Sequence, residues 1–178
     1  MPEQMQAMVK GIQGQLGALK EKLVTFKSGV ELLPGIGVID TAGHTLRADI
    51  AAAYLFNDAN RPDLTQKWCR WILENKYGDG PSGLDGNDDG GTLSAWFVFS
   101  SIGLYPIAGS EKYQLGAPLF RKAELKLNDK RLVVIAENYD PKHQYVEKIL
   151  LNGVPINRHW ILHKEVENGG ILQFWMSP

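Results

Sequence analysis

The residues best suited to chemistry lie in one acidic, glycine-rich segment, residues 78–91. Within it, the run Asp85-Gly86-Asn87-Asp88-Asp89-Gly90 places side-chain oxygens at alternate positions before a glycine, as in the first half of an EF-hand calcium loop. A full EF-hand loop needs a glutamate at its twelfth position, and Trp96 stands there, which argues against an EF-hand. Two interpretations remain, a solvated polar turn and a cluster of catalytic carboxylates.

A predicted helix follows this loop, and its position favours the catalytic interpretation. Carboxylates near the N-terminus of a helix lie at the positive end of its dipole, which favours their ionised form. The helix opens with Ala95-Trp96-Phe97, so the carboxylates border aromatic side chains. An ionised carboxylate beside aromatic walls is what a general base in a sugar-binding pocket requires.

Helical periodicity dominates the chain before Pro106. It predicts four helices, Gln4 to Phe26, Thr45 to Asn57, Pro62 to Tyr77 and Ala95 to Tyr105. In the third helix, one predicted apolar face contains Leu64, Trp68, Trp71 and Ile72. The fourth is apolar on nearly every side, which predicts a helix buried between other elements.

Short alternating runs replace this pattern after Pro106 and predict about six antiparallel strands. The runs are Tyr113 to Leu115, Ala123 to Leu127, Leu132 to Ala136, Tyr145 to Leu150, Trp160 to Leu162 and Ile171 to Trp175. Turn residues separate them, and Asn152-Gly153 is the strongest hairpin signal. The predicted fold class is therefore α+β, with a helical domain over residues 1–106 and an antiparallel β-sandwich-like domain over residues 107–178.

Composition excludes several classes of protein. The 178 residues include 19 Lys+Arg and 20 Asp+Glu, a net charge of −1, so no basic excess supports binding to nucleic acid or to an anionic membrane. The single cysteine, Cys69, cannot form an intramolecular disulfide. No stretch has the length of a membrane span, and the first residues do not resemble a signal peptide.

A family resemblance extends from about Asp49 to Phe120 and continues more loosely to Trp175. The residues that carry it are Tyr54 to Asn57, Arg61-Pro62, Thr65 to Trp68, Arg70 to Leu73, Gly83 to Phe99, Gly103 to Pro106, Tyr113 to Phe120 and Leu150 to Gly153. This ordered series resembles glycoside hydrolase family 92, whose members are calcium-dependent, inverting exo-α-mannosidases. The resemblance implies that the helical part is the end of an (α/α)6 barrel and that the strands belong to a β-sandwich.

The resemblance also implies roles for residues of the acidic loop. It makes Asp89 the carboxylate that activates water and Asp88 a second catalytic residue. Substrate binding falls to Asn87, Asp85 and Trp96, and the residues implied for the calcium ion are Asp89 and Asn87. The implied substrate is a mannose-containing glycan, and family members are often secreted or periplasmic.

Two departures from the family bear on activity. The family's general acid, a glutamate, stands further upstream of the loop than this chain extends, and no glutamate of the N-terminal segment has a matching context. The family's Asn-Glu-Pro type of segment before the second helix reads Leu46-Arg47-Ala48 here. Replacing oxygen donors by aliphatic and cationic side chains predicts that calcium is not bound in the family's manner.

Two hypotheses about function follow from these observations. The first is a truncated exo-α-mannosidase with Asp89 as its base, either active or inactive alone, whose barrel a second copy or another partner would complete. The alternative is a non-catalytic carbohydrate-binding or protein-interaction module derived from the same fold. A carboxylate about 6.5 to 9.5 Å from Asp89, on the far side of a bound sugar, would favour the first.

Overall fold

The computed structural model describes residues 51–84 and 86–178. The predicted helix from Gln4 to Phe26, the segment Leu46-Arg47-Ala48 and Asp85 lie outside the described residues. Of the second predicted helix, the described part forms a 3-10 turn, Ala52–Tyr54, followed by helix α1, Leu55–Asp58. Two further helices complete the described helical part, α2 (Pro62–Asn75) and α3 (Thr92–Ser101).

Helix α2 begins at Pro62, as predicted, because proline is well suited to a first helical turn. Its buried face differs from the predicted one. Trp68 and Trp71 are only half-buried and pack edge to face with centroids 6.0 Å apart. The buried residues of the helix are Thr65, Gln66, Cys69, Arg70, Ile72 and Leu73. Polar side chains enter this face because they bond to the sheets: Gln66 Oε1 accepts from the Val146 amide at 3.1 Å.

Helix α3 begins before the predicted start and ends at Ser101, four residues before the predicted end. Gly103 follows with φ +81°, and the chain turns there into the first strand, so the helical assignment of Leu104 and Tyr105 is wrong. The expectation of burial on every side is also wrong, because Val98 is 57% exposed.

Eight strands form two sheets in the described part of the chain. The smaller sheet has the order β1-β2-β7, with β1 (Leu104–Pro106), β2 (Lys112–Leu115) and β7 (Trp160–Leu162). The larger has the order β3-β4-β8-β5-β6. Its strands are β3 (Lys122–Leu127), β4 (Lys130–Glu137), β5 (Tyr145–Leu151), β6 (Val154–Ile156) and β8 (Gly170–Ser177).

All six predicted runs lie in strands, and the fold is α+β as predicted. The prediction of purely antiparallel pairing is wrong for one pair, because β4 and β8 run parallel, so the larger sheet is mixed. Asn152-Gly153 joins β5 to β6 with φ +51° and +80°, the conformation that a tight hairpin turn requires. None of the helices in the described part is long and apolar enough to cross a membrane.

Both sheets contribute side chains to one core. Alternation along β8 buries Leu172, Phe174 and Met176, while β7 contributes Ile161 and β1 contributes Leu104. The helices have a separate cluster, the aromatic cluster, which is made of Tyr54, Trp68, Trp71, Tyr77, Trp96, Phe97 and Tyr105 together with aliphatic neighbours. The core of the strands is therefore distinct from the aromatic cluster, although Phe99 of helix α3 packs against it.

A buried polar joint connects helix α1 to the smaller sheet. Asn57 Nδ2 lies 3.0 Å from Gln114 Oε1, 2.9 Å from the Leu115 carbonyl and 3.2 Å from the His159 carbonyl. Gln114 Nε2 in turn donates to Asp58 Oδ1 at 3.2 Å. These hydrogen bonds fix the helical part relative to the strands.

Asn57→Ala is expected to lower the free energy of unfolding by about 1–2 kcal/mol, because it removes the donor that bonds to the buried Leu115 carbonyl and to Gln114 Oε1. Urea denaturation followed by circular dichroism measures the change. The matched control is Asn157→Ala at an exposed position, for which a change below about 0.5 kcal/mol is expected. Equal costs for the two variants would show that the joint adds nothing to stability.

Candidate active site

A closed glycine-rich loop leads from helix α2 to the acidic residues. Tyr77 and Leu84 form an antiparallel bridge, so the chain leaves and returns at the same place. Inside the bridge, the Gly78 amide donates to the Gly83 carbonyl and the Gly83 amide to the Gly80 carbonyl, both at 2.9 Å. A Cβ on Gly83 would lie 2.2 Å from the Gly78 oxygen. The loop therefore closes only with glycine at position 83.

Asp88 caps helix α3, although three residues separate it from the first helical residue. The residue before the helix, Gly91, is left-handed with φ +95° and has no side chain to accept from the first amides. Asp88 replaces it: Oδ1 accepts from the Ser94 amide at 2.8 Å, Oδ2 from the Ser94 hydroxyl at 2.9 Å, and the carbonyl from the Leu93 amide at 3.2 Å. One residue thus satisfies two amides that helix geometry leaves unpaired. The predicted catalytic role of Asp88 stays a prediction.

Asp89 lies at the exposed tip of the same turn, in the left-handed conformation with φ +51°. Gly90 and Gly91 continue this conformation, and the Thr92 hydroxyl donates to the Asp89 carbonyl at 2.7 Å. Aspartate is one of the few residues with a Cβ that adopt this conformation. An exposed carboxylate at the start of a helix is consistent with the predicted general base, which stays a prediction.

The two other described residues of the predicted site, Asn87 and Trp96, differ in their exposure to solvent. Asn87 is exposed and directly precedes the capping residue Asp88. The Trp96 indole is only 4% exposed, stacked 5.8 Å from Tyr77 and edge-on to Tyr54 at 6.4 Å. The indole is buried among these rings and offers little surface to a sugar. The predicted contact of Trp96 with substrate stays a prediction.

Tyr77 was predicted only as the end of a helix. In the structure its side chain also contacts the first turn of α3. Its hydroxyl donates to the Leu93 carbonyl in the first turn of α3 at 3.0 Å. Its ring packs against Trp96 and Phe97 of helix α3 within the aromatic cluster. Burial raises the pKa of the Tyr77 hydroxyl well above its usual range, and the nearby charge of Asp88 raises it further. The hydroxyl is therefore a permanent donor at neutral pH.

The described residues of the acidic loop do not by themselves form the calcium site that the resemblance implies. No group of three or more His, Cys, Asp or Glu side chains that could hold a metal occurs among residues 51–84 and 86–178. Both carboxylate oxygens of Asp88 already accept hydrogen bonds from Ser94. Calcium in proteins takes six to eight oxygen ligands. The described residues alone do not provide such a set, and no step of the chemistry is assigned to calcium here.

Comparison with known families identifies the chain's relationship over nearly its full length. Residues 3–178 match the glycosyl hydrolase family 92 catalytic domain. A curated relative, an uncharacterized secreted glycosidase of Arthroderma benhamiae, is 32% identical over 130 residues, which is 71% of this chain and 17% of the relative.

Solved structures of the same family superpose on this fold. A family GH92 alpha-mannosidase from Bacteroides thetaiotaomicron in complex with mannoimidazole has a TM-score of 0.72 and 32% identity over 84% of this chain and 20% of its own. A family GH92 inverting mannosidase from the same organism has a TM-score of 0.69 and 36% identity over 76% of this chain and 19% of its own. The chain thus spans about a fifth of the length of these relatives. It belongs to glycosyl hydrolase family 92.

Proposed function

We propose that the chain is the C-terminal part of the catalytic domain of an exo-α-mannosidase, and that it contributes the carboxylate that activates water. The observation that carries the proposal is the capped acidic turn at the start of α3, within residues that match the family's catalytic domain. The solved relatives with 32% and 36% identity are named as mannosidases. The substrate is then a terminal α-linked mannose of a glycan.

Asp89 is the general base in this proposal. Its carboxylate takes a proton from the water that attacks the anomeric carbon, while a separate acid protonates the leaving oxygen from the opposite side. Asp88 differs from Asp89 because its two oxygens already accept from Ser94. We assign Asp88 a supporting role, and we assign sugar contacts to Asn87, Asp85 and Trp96.

The proposal includes the domain organisation expected from the sequence. Residues 1–106 would be the last part of an (α/α)6 barrel and residues 107–178 the strands that follow it. The exposure of Val98, an apolar residue of α3, supports a helix that packs against further helices in the complete barrel. The general acid would then come from a part of the protein beyond this chain, from a second copy or from a partner. Strand β1, which ends at Pro106, pairs with β2 across the proposed boundary.

The alternative, a non-catalytic carbohydrate-binding or interaction module, has less support. The structural relatives described above are mannosidases, and the family match is to a catalytic domain. The fungal relative is called secreted, which is consistent with an enzyme that acts on glycans outside the cell.

Hydrolysis of an aryl α-mannoside and of an α-linked mannobiose tests the proposed function. The assay is run with and without Ca²⁺, and proton NMR records the anomeric form that is released first. An inverting enzyme releases β-mannose from these substrates. Asp89→Asn is expected to reduce hydrolysis to background, because the amide cannot accept the proton and yet tolerates the left-handed conformation.

Asp129→Asn is the matched control, since Asp129 is exposed in the turn between β3 and β4, far along the chain from the acidic loop. It should hydrolyse mannosides at the rate of the unmodified chain. No hydrolysis above background by the unmodified chain would refute an active enzyme made of this chain alone. Equal activity of the Asp89→Asn variant would refute the assigned base.

A further inference from the structure

Tyr77 joins three parts of the site that are separate in the sequence. Its backbone pairs with Leu84 at the far end of the glycine-rich loop. Its ring stacks on Trp96 with an interplanar angle of 1° and lies 5.0 Å from Phe97. Its hydroxyl donates to the carbonyl of Leu93. One side chain therefore links the end of α2, the loop closure and the first turn of α3.

The first turn of α3 is held from two sides as a result. Leu93 accepts from Tyr77 through its carbonyl and donates to the Asp88 carbonyl through its amide. The next residue, Ser94, binds the Asp88 carboxylate through both its amide and its hydroxyl. Movement of Leu93 would therefore also displace Asp88, the residue directly before Asp89.

Asp89 needs such support because of its backbone conformation. A left-handed residue with a Cβ is disfavoured, and it persists where the surrounding structure determines it. On its C-terminal side, Asp89 is followed by two left-handed glycines, Gly90 and Gly91, which do not restrict the chain by themselves. Asp88 on one side and the hydrogen bond from the Thr92 hydroxyl on the other help to fix this turn.

We propose that Tyr77 is a positioning residue for Asp89, acting through the Leu93 carbonyl and the Asp88 cap. The proposal rests on the proposed function, in which Asp89 is the general base. Tyr77 does not take part in proton transfer. It fixes the first turn of α3 so that the acidic turn has one arrangement, and a base held in one place contributes more to the rate than one that samples several.

The chain offers a matched control for the hydroxyl of Tyr77. The hydroxyl of Tyr139 donates to the Leu119 carbonyl at 2.8 Å, also partly buried, but in the strand domain. Tyr77→Phe and Tyr139→Phe each remove one hydroxyl-to-carbonyl hydrogen bond and keep the ring. A purely structural role predicts the same consequences for both variants, whereas a positioning role predicts a local difference at the acidic turn.

Amide hydrogen exchange of the full chain tests the structural part of the proposal. In Tyr77→Phe, the amides of Leu93 and Ser94 are expected to exchange about 5- to 10-fold faster, as loss of one buried hydrogen bond implies. In Tyr139→Phe, the same two amides should exchange as in the unmodified chain. Unchanged exchange at Leu93 and Ser94 in Tyr77→Phe, or an equal increase in both variants, would overturn the proposal.

Kinetics with the aryl α-mannoside test the functional part. Tyr77→Phe is expected to lower kcat about 5- to 10-fold with KM changed less than twofold, because the substrate contacts remain. Tyr139→Phe should leave both constants unchanged. Unchanged kcat in Tyr77→Phe would overturn the positioning role. If the unmodified chain hydrolyses no mannoside, an active enzyme made of this chain alone is refuted, and hydrogen exchange alone then decides whether Tyr77 holds the acidic turn.

Discussion

Phe174→Ala is expected to lower the free energy of unfolding by about 3–5 kcal/mol, the usual cost of removing a buried aromatic side chain. Phe174 is 0% exposed and lies in β8, whose partners on the two sides are β4 and β5. Its ring atom Cζ lies 3.5 Å from where a Cβ on Gly103 would stand, at the turn between α3 and β1. The ring therefore connects the larger sheet to the start of the smaller one. The free energy of unfolding of an ordinary domain is only about 5–15 kcal/mol, so the loss of this ring would remove a large share of it.

Ile171→Ala is the control for this prediction. Ile171 lies in the same strand, three residues earlier, but on the opposite face of the sheet, where its side chain is 43% exposed. The expected cost is below about 1 kcal/mol, since little apolar surface is removed from the interior. Urea denaturation of the two variants measures the difference. Similar losses in the free energy of unfolding would mean that the buried face of β8 contributes no more to stability than its exposed face.

Gly83→Ala is expected to disrupt the closure of the glycine-rich loop and to lower the free energy of unfolding by about 2–4 kcal/mol. The added Cβ would stand 2.2 Å from the Gly78 oxygen and 2.9 Å from the Gly80 oxygen, both backbone atoms that cannot rotate away. Relief requires the loop to open, which breaks the hydrogen bonds between Gly83 and both residues. The bridge from Tyr77 to Leu84 would be lost with them, and with it the support of the acidic turn. Under the proposed function, mannoside hydrolysis should then fall at least about tenfold, as expected for a displaced general base.

Gly80→Ala is the matched control within the same loop. A Cβ on Gly80 would meet nothing within 4 Å, so no clash is created. Stability should change by less than about 0.5 kcal/mol, with a small gain from the lower entropy of the unfolded chain. Thermal and urea unfolding, together with the mannoside assay, compare the two alanine variants. A Gly83→Ala variant that behaves like Gly80→Ala would show that the loop does not need its observed closure.

Local sequence patterns predicted most of the strands for a specific physical reason. Alternating side chains such as those of β4 and β8 face one common core, so period-two runs are visible before any pairing is known. The missed strands, β1 and β6, have three residues each and contain Pro106 and Pro155. Such short, proline-containing strands carry too few residues for a period and occur at sheet edges. The parallel pairing of β4 with β8 was also missed, because it depends on the path of the intervening chain.

Helix faces were predicted less well than helix positions. In α2, tryptophans at helical spacing indicated the buried face, yet Thr65, at 0% exposure, is more deeply buried than Trp68 or Trp71. Gln66 accepts a hydrogen bond from the Val146 amide and Arg70 donates one to the His143 carbonyl, and these two bonds turn the polar side of α2 inward. A pattern of hydrophobicity cannot predict such an orientation, since it depends on acceptors and donors about 70–80 residues away in the chain.

The sequence by itself determined which segment is the candidate site, residues 78–91, because carboxylates, glycines and the start of an aromatic helix adjoin one another along the chain there. The fold class followed from the change of periodicity at Pro106, the family resemblance from about Asp49 to Trp175, and Asp89 as the candidate base from the acidic loop. Tertiary structure alone decided the different roles of neighbouring acids. Asp88 and Asp89 are the same residue type, but the backbone turn directs the Asp88 carboxylate onto Ser94 and places Asp89 at the exposed tip. Tertiary structure also decided the contacts of Tyr77, since its hydrogen bond to Leu93 forms only after the fifteen residues between them have brought the two ends together, and this depends on contacts that no local pattern records.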